Sequence, residues 1–93
     1  MDDVTRGKTI DRLKRIEGQV RGVVRMLEED RYCMDILAQT RSIMAAMRKV
    51  EDQVMENHLQ TCVAEAMQSG DERERDEKVS EIMTVLSGMR KNG

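Results

Sequence analysis

The sequence predicts an all-α fold with three helices per chain. Three observations point to it. The 93 residues include no Pro, and Tyr32 is the sole aromatic, so a β-sandwich or barrel would lack the residues it needs. Apolar residues recur every three or four positions, the helical period. Charged residues fill 37% of the chain, enough to clothe the outer faces of such helices. The same regular spacing argues against a disordered tail. Length and pattern predict a single domain, 1–93. Two cysteines are too few for a disulfide-dense scaffold, and the acidic start Met1–Asp2–Asp3 is unlike a signal peptide. No apolar run reaches the ~18 residues of a membrane span. The chain reads as a soluble cytoplasmic protein with no membrane partner.

In the first helix, Ile10, Leu13, Ile16, Val20, Val23 and Leu27 form a narrow seam, with Thr5 as its N-cap. Gly18 and Gly22 each cost ~1 kcal/mol relative to Ala. They share a face, so their simplest reason is close approach of another helix. The polar segment Glu28–Tyr32 is short, which predicts an antiparallel helical hairpin, and Asp30 is placed to cap the second helix. That helix carries a stripe of Ile36, Thr40, Ile43, Met47, Val50, Val54, His58, Cys62 and Ala66, ending at Ser69–Gly70. The charged run Asp71–Lys78 leads to a third helix, whose apolar face is Val79, Ile82, Met83, Leu86 and Met89.

A helix of about 35 residues is ~52 Å long. A compact globule of this chain length is only ~32 Å across. The second helix would therefore project its apolar stripe into water. Two copies solve this by pairing their hairpins as an antiparallel four-helix bundle, so the sequence predicts a homo-oligomer.

The chain holds one His and two Cys. His58 and Cys62 lie one helical turn apart on one face. Cys33 precedes His58 by 25 residues, ~37 Å along a straight helix. One subunit cannot join all three, but an antiparallel partner brings its Cys33 to His58 and Cys62. Spacing alone also admits simple packing of His58 and Cys62 in a core. Two thiolates and one imidazole suit Cu(I) or Zn(II). A structural zinc site normally closes with four protein ligands, whereas three donors satisfy Cu(I). An inter-subunit disulfide or polysulfide link between Cys33 and Cys62 is the redox alternative.

Net charge is −2, yet its distribution is uneven. Residues 5–25 carry seven basic side chains against two acids, a local charge of +5, while residues 50–82 carry ten acids against three bases. Lys8, Arg12 and Arg15 form one basic line on the first helix and Lys14, Arg21 and Arg25 another. Arg48 and Lys49 extend the basic surface from the second helix. An ordinary solvated face explains such lines, and so does phosphate contact with duplex DNA. With one aromatic in the chain, base stacking on single strands is disfavoured. No phosphate-binding Gly-rich loop or nucleophile elbow appears, so neither an enzyme nor a small-molecule substrate is expected.

These residues resemble the bacterial family of copper-sensitive operon repressors and nickel-responsive repressors. The resemblance covers nearly the whole chain. It is carried by Arg12-Leu13-Lys14-Arg15-Ile16-Glu17-Gly18-Gln19, by Met26-Leu27-Glu28 leading to Tyr32-Cys33, and by Asn57-His58-Leu59-Gln60-Thr61-Cys62. The copper branch is the nearest likeness. The nickel and cobalt branch has a His where Cys62 stands, the formaldehyde branch generally lacks that Cys, and the persulfide branch lacks the His.

The resemblance implies a disc-like dimer of dimers. It would bind operator DNA when metal-free and release it on taking one Cu(I) per protomer at a dimer interface, through Cys33, His58 and Cys62. Arg12 matches a DNA-contacting Arg, and Lys49 stands where the family has Arg. Tyr32 and Glu81 match a pair that links His58 to the third helix. The Glu81 match needs an insertion of about three residues within Asp71–Lys78, and Glu77 is the alternate. A persulfide-sensing repressor using Cys33 and Cys62 is the runner-up. A copper-buffering or transfer protein that never touches DNA is the alternative from another class.

Overall fold

Helix α1 spans Asp3–Glu28 and begins at a side-chain cap. The cap is Asp2, whose Oδ1 accepts the Thr5 backbone N–H at 2.9 Å. Thr5 thus sits inside the first turn, and Asp2 takes the capping role expected of Thr5. An acidic cap has the advantage of facing the positive end of the helix dipole. Hydrogen bonds from Thr5, hydroxyl first and backbone second, hold the Asp2 carboxyl below its ordinary range. The computed structural model describes residues 1–92, with side chains through residue 88, so Met89 of the predicted apolar face lies outside the described side chains.

α1 ends in a Schellman motif. The Arg31 N–H reaches the Met26 carbonyl at 2.9 Å, and the Asp30 N–H reaches Leu27 at 3.2 Å. Asp30 occupies the left-handed position with φ 54°, so it terminates α1 and does not cap α2. Helix α2 (Cys33–His58) starts instead on the Tyr32 carbonyl, which accepts the N–H groups of Asp35 and Ile36. The predicted second helix continues through a π-helical stretch, Leu59–Val63, into the short α3 (Ala64–Ser69). Gly70, at φ 78°, breaks it in the left-handed conformation that favours glycine. Asp71 then caps α4 (Glu72–Asn92), its Oδ1 accepting Arg73 N–H at 3.0 Å.

Packing divides the chain into two units, Met1–Met55 and a second beginning at Glu56. In the first, α1 buries Thr9 and Ile16, and α2 buries Val50. Arg12, Gln19 and Gln53 are half-buried, and their Nε, Oε1 and Oε1 atoms meet no partner among the described residues. The predicted α1 seam therefore splits. Ile16 and Val23 turn inward, whereas Ile10, Leu13, Val20 and Leu27 stay exposed and, with Val24, form a second stripe at heptad spacing. An open groove of about 480 Å³ lies between the helices, lined by Leu13, Ile16, Glu17, Val20, Arg21 and Met47. Among the described residues nothing crowds the paired glycines. A Cβ on Gly22 would meet no atom within 4 Å, and one on Gly18 only the Arg21 side chain at 3.7 Å.

In the second unit Val63 and Ala66 are buried, Ala66 completely. Among the described residues no helix is long and apolar enough to cross a membrane.

Asp30→Gly should raise stability by about 0.5–1 kcal/mol, because a left-handed residue without Cβ relieves strain that outweighs glycine's extra chain entropy. Urea unfolding at fixed protein concentration measures it, and a loss of stability would contradict the strained-cap assignment.

Candidate metal and nucleic-acid site

The spacing of the second-helix stripe explains why a π turn forms where it does. Val50, Val54, His58, Cys62 and Ala66 succeed one another in steps of four. In an α-helix each such step overshoots a turn by about 40°, so four of them drift by about 160°. A π turn takes more than four residues to close and draws the stripe back. The turn also has local support. The Thr61 hydroxyl donates to the Asn57 carbonyl at 2.8 Å, and Gln60 Nε2 donates to Glu56 Oε1 at 3.4 Å.

His58 is the last residue of α2, directly before the π turn, and Cys62 lies inside it. The four-residue step between them is thus not the α-helical turn that spacing suggests. Cys62 is exposed, and the Thr61 hydroxyl lies 3.7 Å from its Sγ. His58 is half-buried, and its Nε2 approaches Glu81 Oε2 of α4 at 3.5 Å. Glu77 does not take this place, pairing with Arg73 at 3.6 Å on its own helix. Glu81 also meets Lys78 Nζ, at 3.6 Å through Oε1. That contact escapes sequence reading, although the i,i+3 spacing of Lys78 and Glu81 is its signal.

Cys33 opens α2 and is an exposed free thiol. Tyr32 stands just before it, also exposed, and its phenol has no hydrogen-bond partner among the described residues. Among the described residues no three His, Cys, Asp or Glu side chains converge to hold a metal ion. Two thiols and one imidazole make a donor set that fits Cu(I). With Nε2 turned to Glu81, Nδ1 is the His58 nitrogen that could take a metal ion.

The basic residues expected to contact DNA all belong to the first unit. Lys8, Lys14 and Arg15 of α1 and Arg48 and Lys49 of α2 are exposed, and no ion pair within the described residues ties them down. Arg12 differs, because its Nε is buried on the packing face of α1. Its stem is held by the hairpin, which orients the guanidinium more firmly than a free surface Arg.

Comparison with known proteins gives these features a context. The sequence model of the metal-sensitive transcriptional repressor family matches residues 5–88. The copper-sensing transcriptional repressor CsoR of Bacillus subtilis is 46% identical over 82 residues, covering 88% of this chain and 78% of that protein. The copper-sensing transcriptional repressor RicR of Mycobacterium tuberculosis is 48% identical over 59 residues, covering 63% and 62%. The crystal structure of the copper-sensing repressor CsoR with Cu(I) from Geobacillus thermodenitrificans superposes with a TM-score of 0.88 at 41% identity, over 97% of this chain and 91% of that one. With the family pattern running through nearly its whole length, the chain belongs to the metal-sensitive transcriptional repressors.

Proposed function

We propose that this chain is a cytoplasmic, single-domain, Cu(I)-responsive transcriptional repressor without catalytic activity. It holds duplex operator DNA when metal-free and releases it when Cu(I) is bound. The observation that carries this reading is His58, whose Nε2 faces Glu81 on α4 while Cys62 lies in the adjoining π turn. A donor on that helix stretch is thereby tied to a different helix, which is what a sensor needs. Relatives at 46% and 48% identity bear the name of copper-sensing repressors, which supports the choice of metal.

His58 and Cys62 of one copy supply two donors, and Cys33 of a second copy supplies the third. When bound, Cu(I) links these donors as a soft Lewis-acid centre. The exposed stripe Ile10, Leu13, Val20, Val24 and Leu27 gives two copies an apolar face to pair through, and a dimer of dimers matches the family form. Lys8, Arg12, Lys14, Arg15, Arg48 and Lys49 contact phosphates. Glu81 carries a change at His58 into α4, and the family resemblance adds Tyr32 to the same coupling. The coupling is reciprocal: DNA weakens copper binding by the same factor by which copper weakens DNA binding.

Titration of the full-length protein with Cu(I) against a competing chelator should reach one metal per protomer, bound by two sulfurs and one nitrogen, together with loss of operator binding. His58→Ala should keep the metal-free operator affinity and lose the copper response. If copper still releases the operator from His58→Ala, the ligand assignment is wrong, and a persulfide response that survives would favour the sulfur-sensing alternative.

Lys14→Ala should weaken operator binding evenly across DNA sequences and lower the slope of log K against log salt by about 1. An unchanged slope in fluorescence anisotropy would remove Lys14 from the interface.

A further inference from the structure

Glu81 stands between two nitrogen side chains, His58 and Lys78. Its Oε2 lies 3.5 Å from His58 Nε2, and its Oε1 lies 3.6 Å from Lys78 Nζ. Lys78 and Glu81 stand three apart on α4, so their pairing is built into one helix. Lys78 is also well covered: its side chain is 29% exposed. On the same helix the pair Arg73 and Glu77 is 89% and 66% exposed. Attraction between Lys78 and Glu81 is therefore screened less by water than that of the open pair.

We propose that Lys78 is a positioning residue. By holding Oε1 it aims Oε2 at His58, and so sets how strongly His58 is coupled to α4. This rests on the reading of His58 as a ligand. Neutral imidazole carries a single N–H. With the proton on Nε2, the ring donates toward Glu81 and keeps the Nδ1 lone pair for a soft metal. With the proton on Nδ1, that lone pair is blocked and an unprotonated nitrogen faces a carboxylate. A carboxylate fixed by Lys78 selects the first tautomer. Without the ammonium, Glu81 turns on its free torsions and the selection weakens.

The test uses the full chain with Lys78→Met, which keeps the stem and removes the charge, Lys78→Gln as a second uncharged variant, and Lys78→Arg as the rescue. Long-range ¹H–¹⁵N NMR of the metal-free protein reads the tautomer of its one His. The Nε2–H form should dominate in the parent and in Lys78→Arg. The share of the Nδ1–H form should rise at least threefold in both uncharged variants. Chelator competition should find the same Cu(I) stoichiometry in all four proteins. Metal-free operator affinity should stay within twofold, while the copper-induced loss of that affinity becomes at least threefold smaller without the charge and returns with Lys78→Arg.

An unchanged tautomer ratio in the uncharged variants overturns the proposal, whatever copper does. So does a shifted ratio with an unchanged copper response. A fall in metal-free operator affinity that Lys78→Arg restores would make Lys78 a phosphate contact instead. If the parent itself ignores Cu(I) while the tautomer still tracks the charge at residue 78, the copper reading fails and the positioning of Glu81 stands.

Discussion

Two apolar stripes on one 26-residue helix cannot both be covered by a single antiparallel neighbour. α1 buries Ile16 and Thr9 within its own unit and leaves Ile10, Leu13, Val20, Val24 and Leu27 between 36% and 60% exposed. Each large side chain left in water forgoes part of the roughly 1.5–3 kcal/mol that full burial supplies. The inner seam is the less apolar of the two. It carries Thr9, Arg12 and Gln19, and Arg12 and Gln19, together with Gln53 of α2, each have a buried atom with no partner among the described residues. An unpaired buried polar atom costs about 1–3 kcal/mol. A hairpin with a part-polar inside and an apolar outside is poorly stabilised alone, and this is the physical ground of the proposed pairing of two copies. The proposed donor set, Cys33, His58 and Cys62, draws on the same pairing, and no three potential ligands converge among the described residues.

The π turn arises from a related constraint, that of keeping a stripe on one side of a long helix. Steps of three and four alternate up to Val50 and keep the period near 3.5. From Val50 to Ala66 every step is four. The backbone answers with a wider turn where the drift accumulates, and Thr61 supplies a hydroxyl to a carbonyl there. π turns recur at functional sites because they re-aim side chains without ending a helix. Here the re-aimed residue is Cys62, which lies within the turn while the next residue, Val63, is buried.

Much of this was legible in the sequence, and the parts that were not have physical causes. The hairpin, the stop at Ser69–Gly70 and the third helix come from period and punctuation alone. The inner face of α1 did not, because Thr9, Arg12 and Gln19 are polar and the apolar period belongs to the other stripe. Asp30 was readable as a cap but not as the left-handed end of α1, a position that usually goes to glycine. His58 and Cys62 were visible as a pair, but their true separation depended on the π turn, which shows only when the drift of successive steps is summed. Lys78 was hidden inside a charged run. Its contact with Glu81 is local, yet its importance depends on His58 standing on the far side of the same carboxylate.

The size of these contacts limits what each copy contributes to a switch. His58 and Glu81 are 31% and 53% exposed, and a pair so open to water is worth at most about 1 kcal/mol. That corresponds to a factor of about five in an equilibrium constant. Allosteric couplings run to about 1–3 kcal/mol, so one such pair falls at the bottom of that range. Repetition supplies the difference. In the proposed dimer of dimers the contact occurs four times on one DNA-binding assembly, and four small terms acting on one equilibrium add in free energy and multiply in affinity. A weak, solvent-accessible contact is then an advantage, because it reverses readily when the metal leaves. The proposed oligomer would cover the apolar stripe, complete the donor set and raise a fivefold effect to a regulatory one.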